Sequence, residues 1–193
     1  MLSYKKSLKI LKETNALVDG HFILSSGLRS AKYVQCAKLL SNPKKAKSIC
    51  ASLAQKIKKK YKKIDLILSP AIGGIVIGYE IGRILNKETI FAERLNNRFC
   101  LRRNFNIKKK SNVLIVEDVI TTGKSSLECV KLIKKYKAKI IGFACIIDRT
   151  GRTYLNKKKI ISQLKLDIPI YKPKNLPEDL KKIKAYKPGS RSI

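Results

Sequence analysis

One stretch of the chain, residues 113–126, constrains the fold more than any other; it reads VLIVEDVITTGKSS. Its first four residues are apolar and mostly β-branched, which is typical of a strand buried on both faces of a parallel sheet. Two acidic residues, Glu117 and Asp118, follow directly. A turn rich in hydroxyl groups and a helical pattern come next, so the stretch predicts a strand–turn–helix unit of an α/β protein.

The turn at residues 121–125 (TTGKS) predicts an anion site. Free backbone N–H groups converge at the N-terminus of a helix, the helix dipole adds to them, and hydroxyl groups can donate as well. The acidic pair precedes the turn, where it would repel a phosphate but can accept hydrogen bonds from sugar hydroxyls. We therefore expect a phosphorylated sugar, with its phosphate in the turn and its ribose at Glu117 and Asp118.

Two alternatives compete with this interpretation. The letters TGKS match the end of a P-loop, but the first glycine of that motif would fall at position 118, which is Asp118. A carboxylate there would face the phosphates that the loop should hold, so we reject the P-loop. The other alternative is an ordinary strand–turn–helix unit with solvated acids.

The composition predicts one globular domain of 193 residues with a substantial core, since 44% of the residues are hydrophobic. The five cysteines are scattered without a Cys-x-x-Cys spacing, which is typical of small core residues in a reducing cytosol. The N-terminus lacks the apolar segment of a secretory signal, and no apolar run is long enough for a membrane span. We therefore expect a cytoplasmic protein with no membrane partner.

The net charge of +31 raises the possibility of a nucleic-acid partner. The excess is mostly lysine, however, and it is spread over nearly the whole chain, as expected for solvated helix and strand surfaces. No zinc-finger pattern or RNA-binding aromatic pattern accompanies it. We expect no specific nucleic-acid partner, and only weak adhesion that salt removes.

Helical and strand patterns alternate along the rest of the chain, which favours a central, mostly parallel sheet flanked by helices. We predict a single domain over residues 1–193, with an N-terminal hood over about 1–40, a core over about 41–170 and a tail over 171–193. A pair of short strands is predicted around residues 20–33, and Asn42–Pro43 is predicted to start a helix. Further strands are predicted at 64–68, 89–93, 139–147 and 168–171, and a further helix at 75–85.

Residues 94–111 form a basic segment with no acidic residue and no clear periodicity, and four of the chain's arginines lie there: Arg94, Arg98, Arg102 and Arg103. Arginine suits bidentate binding of phosphate oxygens. The segment predicts a mobile lid that closes over a pyrophosphate. The alternative is a solvated loop.

The VEDVITTGKSS segment resembles the phosphoribosyl-pyrophosphate (PRPP) signature of type I phosphoribosyltransferases. Five further segments resemble the orotate phosphoribosyltransferase family within that group: GHFILSSGLRSAKY, SPAIGGIVIGYEIGR, FAERLNNRFCLRRNF, IIDRTG and KPGSR. The resemblance implies the type I fold and a transfer of ribose 5-phosphate from PRPP to orotate, which gives orotidine 5′-monophosphate and pyrophosphate. It also implies Mg²⁺ held mainly by the pyrophosphate, with no metal ligand from protein side chains, and a homodimer with shared active sites.

The resemblance implies roles for individual residues as well. Arg102 and Arg103 of the lid would be catalytic, and Thr121 and Arg149 would contact orotate. PRPP would be bound by Arg94, Glu117, Asp118, Val119, Ile120, Thr121, Thr122, Gly123, Lys124 and Ser125.

The chain also departs from its relatives. Many of them carry a Lys-x-His pair in the lid, where this chain has Arg102 and Arg103. Some carry lysine at the positions of Ser25 and Gly73. Two other functions remain open: transfer to a purine base, and a non-catalytic regulator that senses PRPP and binds nucleic acid.

Overall fold

The computed structural model describes residues 1–188, so Gly189, Ser190 and Arg191 of the KPGSR segment lie outside the described residues. The strands are β1 (Leu17–Ile23), β2 (Arg29–Val34), β3 (Leu66–Pro70), β4 (Glu88–Leu95), β5 (Arg98–Cys100), β6 (Asn112–Ile120), β7 (Lys139–Asp148), β8 (Tyr154–Leu155), β9 (Lys158–Lys165) and β10 (Ile170–Tyr171). The helices are α1 (Tyr4–Glu13), α2 (Cys36–Leu40), α3 (Pro43–Lys60), α4 (Gly73–Leu85), α5 (Lys124–Lys135) and α6 (Glu178–Lys181).

The central sheet has seven strands in the order β5-β4-β3-β6-β7-β9-β8. The five inner strands are parallel, and the short strands β5 and β8 add antiparallel edges. Because β6 lies in the middle, its residues 113–116 are fully buried, as their apolar sequence predicts. The predicted α/β fold with a mostly parallel sheet is confirmed.

Helices cover both faces of this sheet. One apolar cluster joins α1, α3 and α4 to one face, and a second joins α5 to the other. In α3, the Asn42 side chain accepts a hydrogen bond of 3.1 Å from the Lys45 backbone N–H, and Pro43 occupies the first turn. The predicted start of this helix is thus confirmed. No helix in residues 1–188 is both long enough and apolar enough to cross a membrane.

The hood draws on both ends of the chain. Strands β1 and β2 pair antiparallel, which confirms the predicted strand pair, and β10 adds to the free edge of β2. The tail then returns to β1: the Ile23 N–H donates to the Tyr186 carbonyl, and the Tyr186 N–H donates to the His21 carbonyl, both at 2.8 Å. The hood is therefore larger than the predicted residues 1–40, because these backbone pairings join positions far apart in sequence.

The lack of periodicity in residues 94–111 suggested a single loop, but part of this basic segment forms a β-hairpin. Strand β4 runs on to Leu95, the chain turns at Asn96 and Asn97, and β5 pairs back with Leu95 opposite Arg98. Both asparagines have positive φ angles (47° and 59°), which a tight two-residue hairpin requires and asparagine tolerates. The irregular part of the predicted lid is confined to residues 101–111.

Helix α4 packs closely on the sheet through its glycines. A Cβ atom at Gly78 would overlap Ser69 Oγ and lie 3.0 Å from Ser69 Cβ, and Ser69 is completely buried. One at Gly82 would lie 3.0 Å from the Lys87 carbonyl oxygen. The absence of a side chain at Gly78 and Gly82 therefore lets α4 lie close to the sheet.

We expect Gly78→Ala to lower the free energy of unfolding by about 1–3 kcal/mol, because overpacking at a buried contact outweighs the better helix propensity of alanine. Urea denaturation would measure the loss. The double variant Gly78→Ala/Ser69→Ala should regain part of it, since the overlapping hydroxyl is gone. A Gly78→Ala protein as stable as the parent would contradict this packing.

Candidate active site

The carboxyl ends of β3, β6 and β7 meet at one edge of the central sheet. From β3 the chain crosses to β4 on one side, whereas β6 and then β7 extend the sheet on the other side. Parallel sheets bind ligands at such a change of direction, outside the carboxyl ends of the strands. The residues that follow these three strands are therefore the candidate site.

The turn after β6 places a glycine at the start of α5. Gly123 has a φ angle of 79°, which strongly favours glycine, and a Cβ atom there would lie 2.8 Å from Leu155 Cδ2. Thr121 and Thr122 are exposed. The Lys124 N–H donates to Thr122 Oγ1 at 3.3 Å. Hydroxyl groups of the turn and the first N–H groups of the twelve-residue helix α5 are thus close together, and such a group of donors can bind an anion.

Glu117 is the more deeply buried of the two acids, with 8% of its surface exposed. Burial raises the pKa of its carboxyl to about 7, although the hydrogen bond from Ser126 opposes this shift; the charge of Asp118 adds to it. Ser126, the third residue of α5, donates its hydroxyl to Glu117 Oε1. The carboxyl group is therefore held between the strand and the helix, and it titrates near neutral pH.

Asp118 faces the loop that follows β3. A Cβ atom at Gly73 would lie 2.9 Å from Asp118 Oδ2, so only glycine lets this loop come so close. Burial raises the pKa of Asp118, while hydrogen bonds from backbone N–H groups, that of Val119 first, lower it. The Ala71–Ile72 peptide bond in the same loop is cis. The end of β6 and the start of α4 therefore meet at the Asp118 carboxylate.

Arg149 follows β7, and its backbone N–H donates to the Ile120 carbonyl at 2.8 Å. Its side chain is half-buried, burial lowers its pKa, and its Nε has no hydrogen-bond partner within residues 1–188. The next residues are fixed by Asp148, whose Oδ1 accepts hydrogen bonds from the Thr150 N–H (2.9 Å) and hydroxyl (2.7 Å). A partly desolvated guanidinium thus stands beside the end of β6, and it suits an anionic group.

The predicted lid arginines occupy different surroundings. Arg102 is exposed and forms no ion pair within the described part of the chain. Arg103 donates to Glu93 Oε1 at 3.1 Å. Arg94 lies 2.8 Å from Glu128 Oε2 on α5, with its Cζ atom 4.2 Å from the centre of the Phe99 ring.

The predicted site residues fall into two groups in the structure. The structure brings Glu117, Asp118, the turn at 121–125 and Arg149 to one edge of the sheet, where Val119 and Ile120 form the end of β6. It holds Arg94 against the hairpin and α5, so PRPP binding by Arg94 stays a prediction and would require exchange of its ion pair.

The sequence did not single out Ser126 as the partner of Glu117. The two residues lie nine positions apart, across a strand, a turn and a helix start, and no local spacing marks such a pair. No group of three His, Cys, Asp or Glu side chains in residues 1–188 could hold a metal ion.

Comparison with known proteins agrees with this geometry. The model of the phosphoribosyl transferase domain family matches residues 37–174. An orotate phosphoribosyltransferase of Parvibaculum lavamentivorans is 44% identical over 193 residues, which is 100% of both chains. One of Caldicellulosiruptor bescii is 43% identical over 184 residues, covering 95% of this chain and 96% of that protein.

Solved structures share the fold at lower sequence identity. Orotate phosphoribosyltransferase from Aeropyrum pernix superimposes with a TM-score of 0.71 at 22% identity, covering 82% of this chain and 92% of that one. Adenine phosphoribosyltransferase from Thermoanaerobacter pseudethanolicus gives a TM-score of 0.60 at 19% identity, covering 70% and 88%. From the end-to-end match to its sequence relatives and the domain match over residues 37–174, we conclude that the chain belongs to the orotate phosphoribosyltransferase family.

Proposed function

We propose that this protein transfers the ribose 5-phosphate group of PRPP to orotate in pyrimidine biosynthesis, releasing orotidine 5′-monophosphate and pyrophosphate. The observation that carries the proposal is the half-buried Arg149 guanidinium, tied through its backbone to the end of the strand that bears Glu117 and Asp118. A sugar-phosphate site and a site for an anionic base thereby share one edge of the sheet.

The turn at residues 121–125 would hold the 5′-phosphate of PRPP. Its backbone N–H groups and its threonine and serine hydroxyls can donate to the phosphate oxygens, and Lys124 adds a positive charge at the start of α5. Glu117 and Asp118 would accept hydrogen bonds from the ribose hydroxyls. Phosphate and ribose would then be fixed by adjacent residues of the same strand–turn–helix unit.

Orotate carries a carboxylate, whereas a purine base carries no such charge. The Arg149 guanidinium can form a bidentate pair with that carboxylate, and its partly desolvated surroundings strengthen the pair. Thr121, exposed at the end of β6, would add a hydroxyl contact to the base. The charge of Arg149 therefore favours orotate over the alternative purine substrates.

The reaction would displace pyrophosphate from C1 of the ribose by orotate N1, through a transition state with oxocarbenium character. The lid residues Arg102 and Arg103 would stabilise the charge that develops on the leaving pyrophosphate and would exclude water. Mg²⁺, which we propose to enter with the pyrophosphate of PRPP, would supply further neutralisation of that leaving group.

We further propose a cytoplasmic homodimer. The five cysteines are free thiols and four of them are buried, which suits a reducing compartment. Three apolar side chains are exposed along α4 and at the residue that precedes it: Ile72 (86%), Val76 (53%) and Tyr79 (66%). A contiguous apolar face of this kind supports a subunit interface.

We expect Tyr79→Glu to weaken the dimer at least about tenfold, because a carboxylate would be buried in an apolar contact. Sedimentation velocity over a range of concentrations measures the change. Tyr4→Glu is the matched control, since Tyr4 is similarly exposed (56%) but lies on α1. A dimer that tolerates Tyr79→Glu as well as Tyr4→Glu would place the interface elsewhere.

The proposed function is tested by product identification. The protein is incubated with PRPP, Mg²⁺ and one base at a time, and nucleotide products are separated by chromatography. We expect orotidine 5′-monophosphate from orotate, and no nucleotide from adenine or hypoxanthine. Formation of a purine nucleotide instead would keep the PRPP site and refute the proposed base.

A further inference from the structure

The hydroxyl of Ser126 makes an unusual contact. Serine in a helix commonly bonds a backbone carbonyl of the preceding turn of its own helix. Ser126 is fully buried, and its hydroxyl donates instead to Glu117 Oε1 on the neighbouring strand β6. The contact joins the helix that carries the phosphate turn to the strand that carries the acidic pair.

Glu117 has no compensating lysine or arginine in the described part of the chain. Within residues 1–188 it forms no ion pair with lysine or arginine, although the protein carries a net charge of +31. The titratable groups around it are Asp118 on the same strand, Cys129 on α5 and Cys145 on β7. Burial raises the pKa of both thiols, so they remain neutral at physiological pH. The hydrogen bond from the Ser126 side chain thus favours the ionised form of the Glu117 carboxyl group.

We propose that Ser126 is a positioning residue, which keeps Glu117 ionised and oriented to accept hydrogen bonds from the ribose hydroxyls of PRPP. The inference rests on the proposed function, because it assumes that PRPP is the ligand. It assigns to Ser126 a role in substrate capture that goes beyond helix packing.

The sign of the pH dependence follows from the state of the carboxyl group. With a pKa of about 7, Glu117 is mostly neutral below that pH and mostly ionised above it. The ionised carboxylate can accept hydrogen bonds from the ribose hydroxyls at both of its oxygens, whereas the neutral acid carries a proton on one of them. The affinity for PRPP should therefore rise as the pH rises through about 7. Removing the Ser126 hydroxyl removes a hydrogen bond that favours the charged form, so the pKa of Glu117 should rise further.

The test compares Ser126→Ala with the parent from about pH 6 to about pH 9, using calorimetry of PRPP with Mg²⁺ and no base. We expect the pH midpoint of PRPP affinity to move upward by about one pH unit. Binding should then be about fivefold weaker at about pH 7 and roughly tenfold weaker well below it, while binding at high pH approaches that of the parent. KM for PRPP should change accordingly, and kcat much less. Ser126→Thr, which keeps the hydroxyl, should restore the parental profile.

The control is Ser52→Ala, which removes another buried hydroxyl, one that accepts a hydrogen bond from the Leu2 N–H far from the site. We expect it to lower the thermal midpoint and to leave the pH profile unchanged. A carbon-13 titration of the Glu117 carboxyl, assigned with Glu117→Gln, follows the same ionisation without PRPP.

Each outcome is decisive. If the Ser126→Ala profile keeps its midpoint, or if affinity falls equally at every pH, Ser126 is only a packing residue and the inference is overturned. If the parent binds no PRPP at any pH, the proposed function itself fails, and the Glu117 titration then shows whether the Ser126 contact controls the ionisation.

Discussion

Replacing Arg149 by alanine is expected to lower orotate turnover severely while leaving PRPP binding intact. The guanidinium is half-buried and its Nε has no partner within the described residues, so the carboxylate of a bound orotate would be its principal counter-charge. Without Arg149, that carboxylate would be desolvated and unpaired, which costs about 2–5 kcal/mol and lowers kcat/KM for orotate roughly 30- to 5,000-fold. The proposed PRPP site lies at the end of β6, so the dissociation constant of PRPP should change little.

The matched control is Arg152→Ala, which removes the same charge three positions further along the same loop from an exposed side chain. Orotate kinetics and PRPP calorimetry on both variants measure the effect. Unchanged orotate turnover in Arg149→Ala would refute the orotate site. Equal losses in both variants would indicate a general effect of charge.

The double variant Arg102→Ala/Arg103→Ala should lower kcat by about 10²–10³-fold per donor lost, with a small effect on PRPP affinity in the absence of orotate. Arg102 is exposed and forms no ion pair in the described chain. Arg103 is also exposed; it pairs with the half-buried Glu93, and its Cζ atom lies 5.7 Å from the centre of the Phe91 ring. Both guanidinium groups are therefore accessible to a pyrophosphate. Exposed ion pairs contribute about 0–1 kcal/mol, and exchange of the Glu93 pair therefore costs little.

Single-turnover kinetics distinguishes this loss in the chemical step from slower binding. Lys108→Ala/Lys109→Ala is the control, because it removes two positive charges from exposed positions of the same loop. A large loss of kcat in the lysine variant, or none in the arginine variant, would contradict a catalytic lid at Arg102 and Arg103.

The elements nearest the site could be predicted because their signals are local. The apolar run at the start of β6, the acids and the turn of small residues specify a strand, a turn and a helix start within fourteen residues, and all three are found. The Asn42 cap of α3 is an equally local signal. Sequence patterns of this kind indicate which side chains of a segment are buried.

The remaining features depend on contacts between distant parts of the chain. Strand β10 joins the hood by pairing with β2, which lies about 140 positions earlier. The short hairpin at Asn96 and Asn97 was not predicted, because the basic residues 94–111 show no clear strand pattern. The partner of Glu117 was missed for the same reason, because only the packing of α5 on β6 brings Ser126 to it. The sequence could thus predict that Glu117, Asp118 and the turn at residues 121–125 lie together, but it could not predict the contact between Ser126 and Glu117.

The most direct test of the central claim is the loss of orotate's ultraviolet absorbance when the protein is mixed with PRPP and Mg²⁺, with hypoxanthine and adenine run in parallel. We expect orotate consumption that requires the protein, PRPP and Mg²⁺ together, and no purine consumption. Turnover of a purine but not of orotate would contradict the role of Arg149. No turnover of any base, combined with sequence-selective nucleic-acid binding that survives physiological salt, would instead identify a regulator on the same fold.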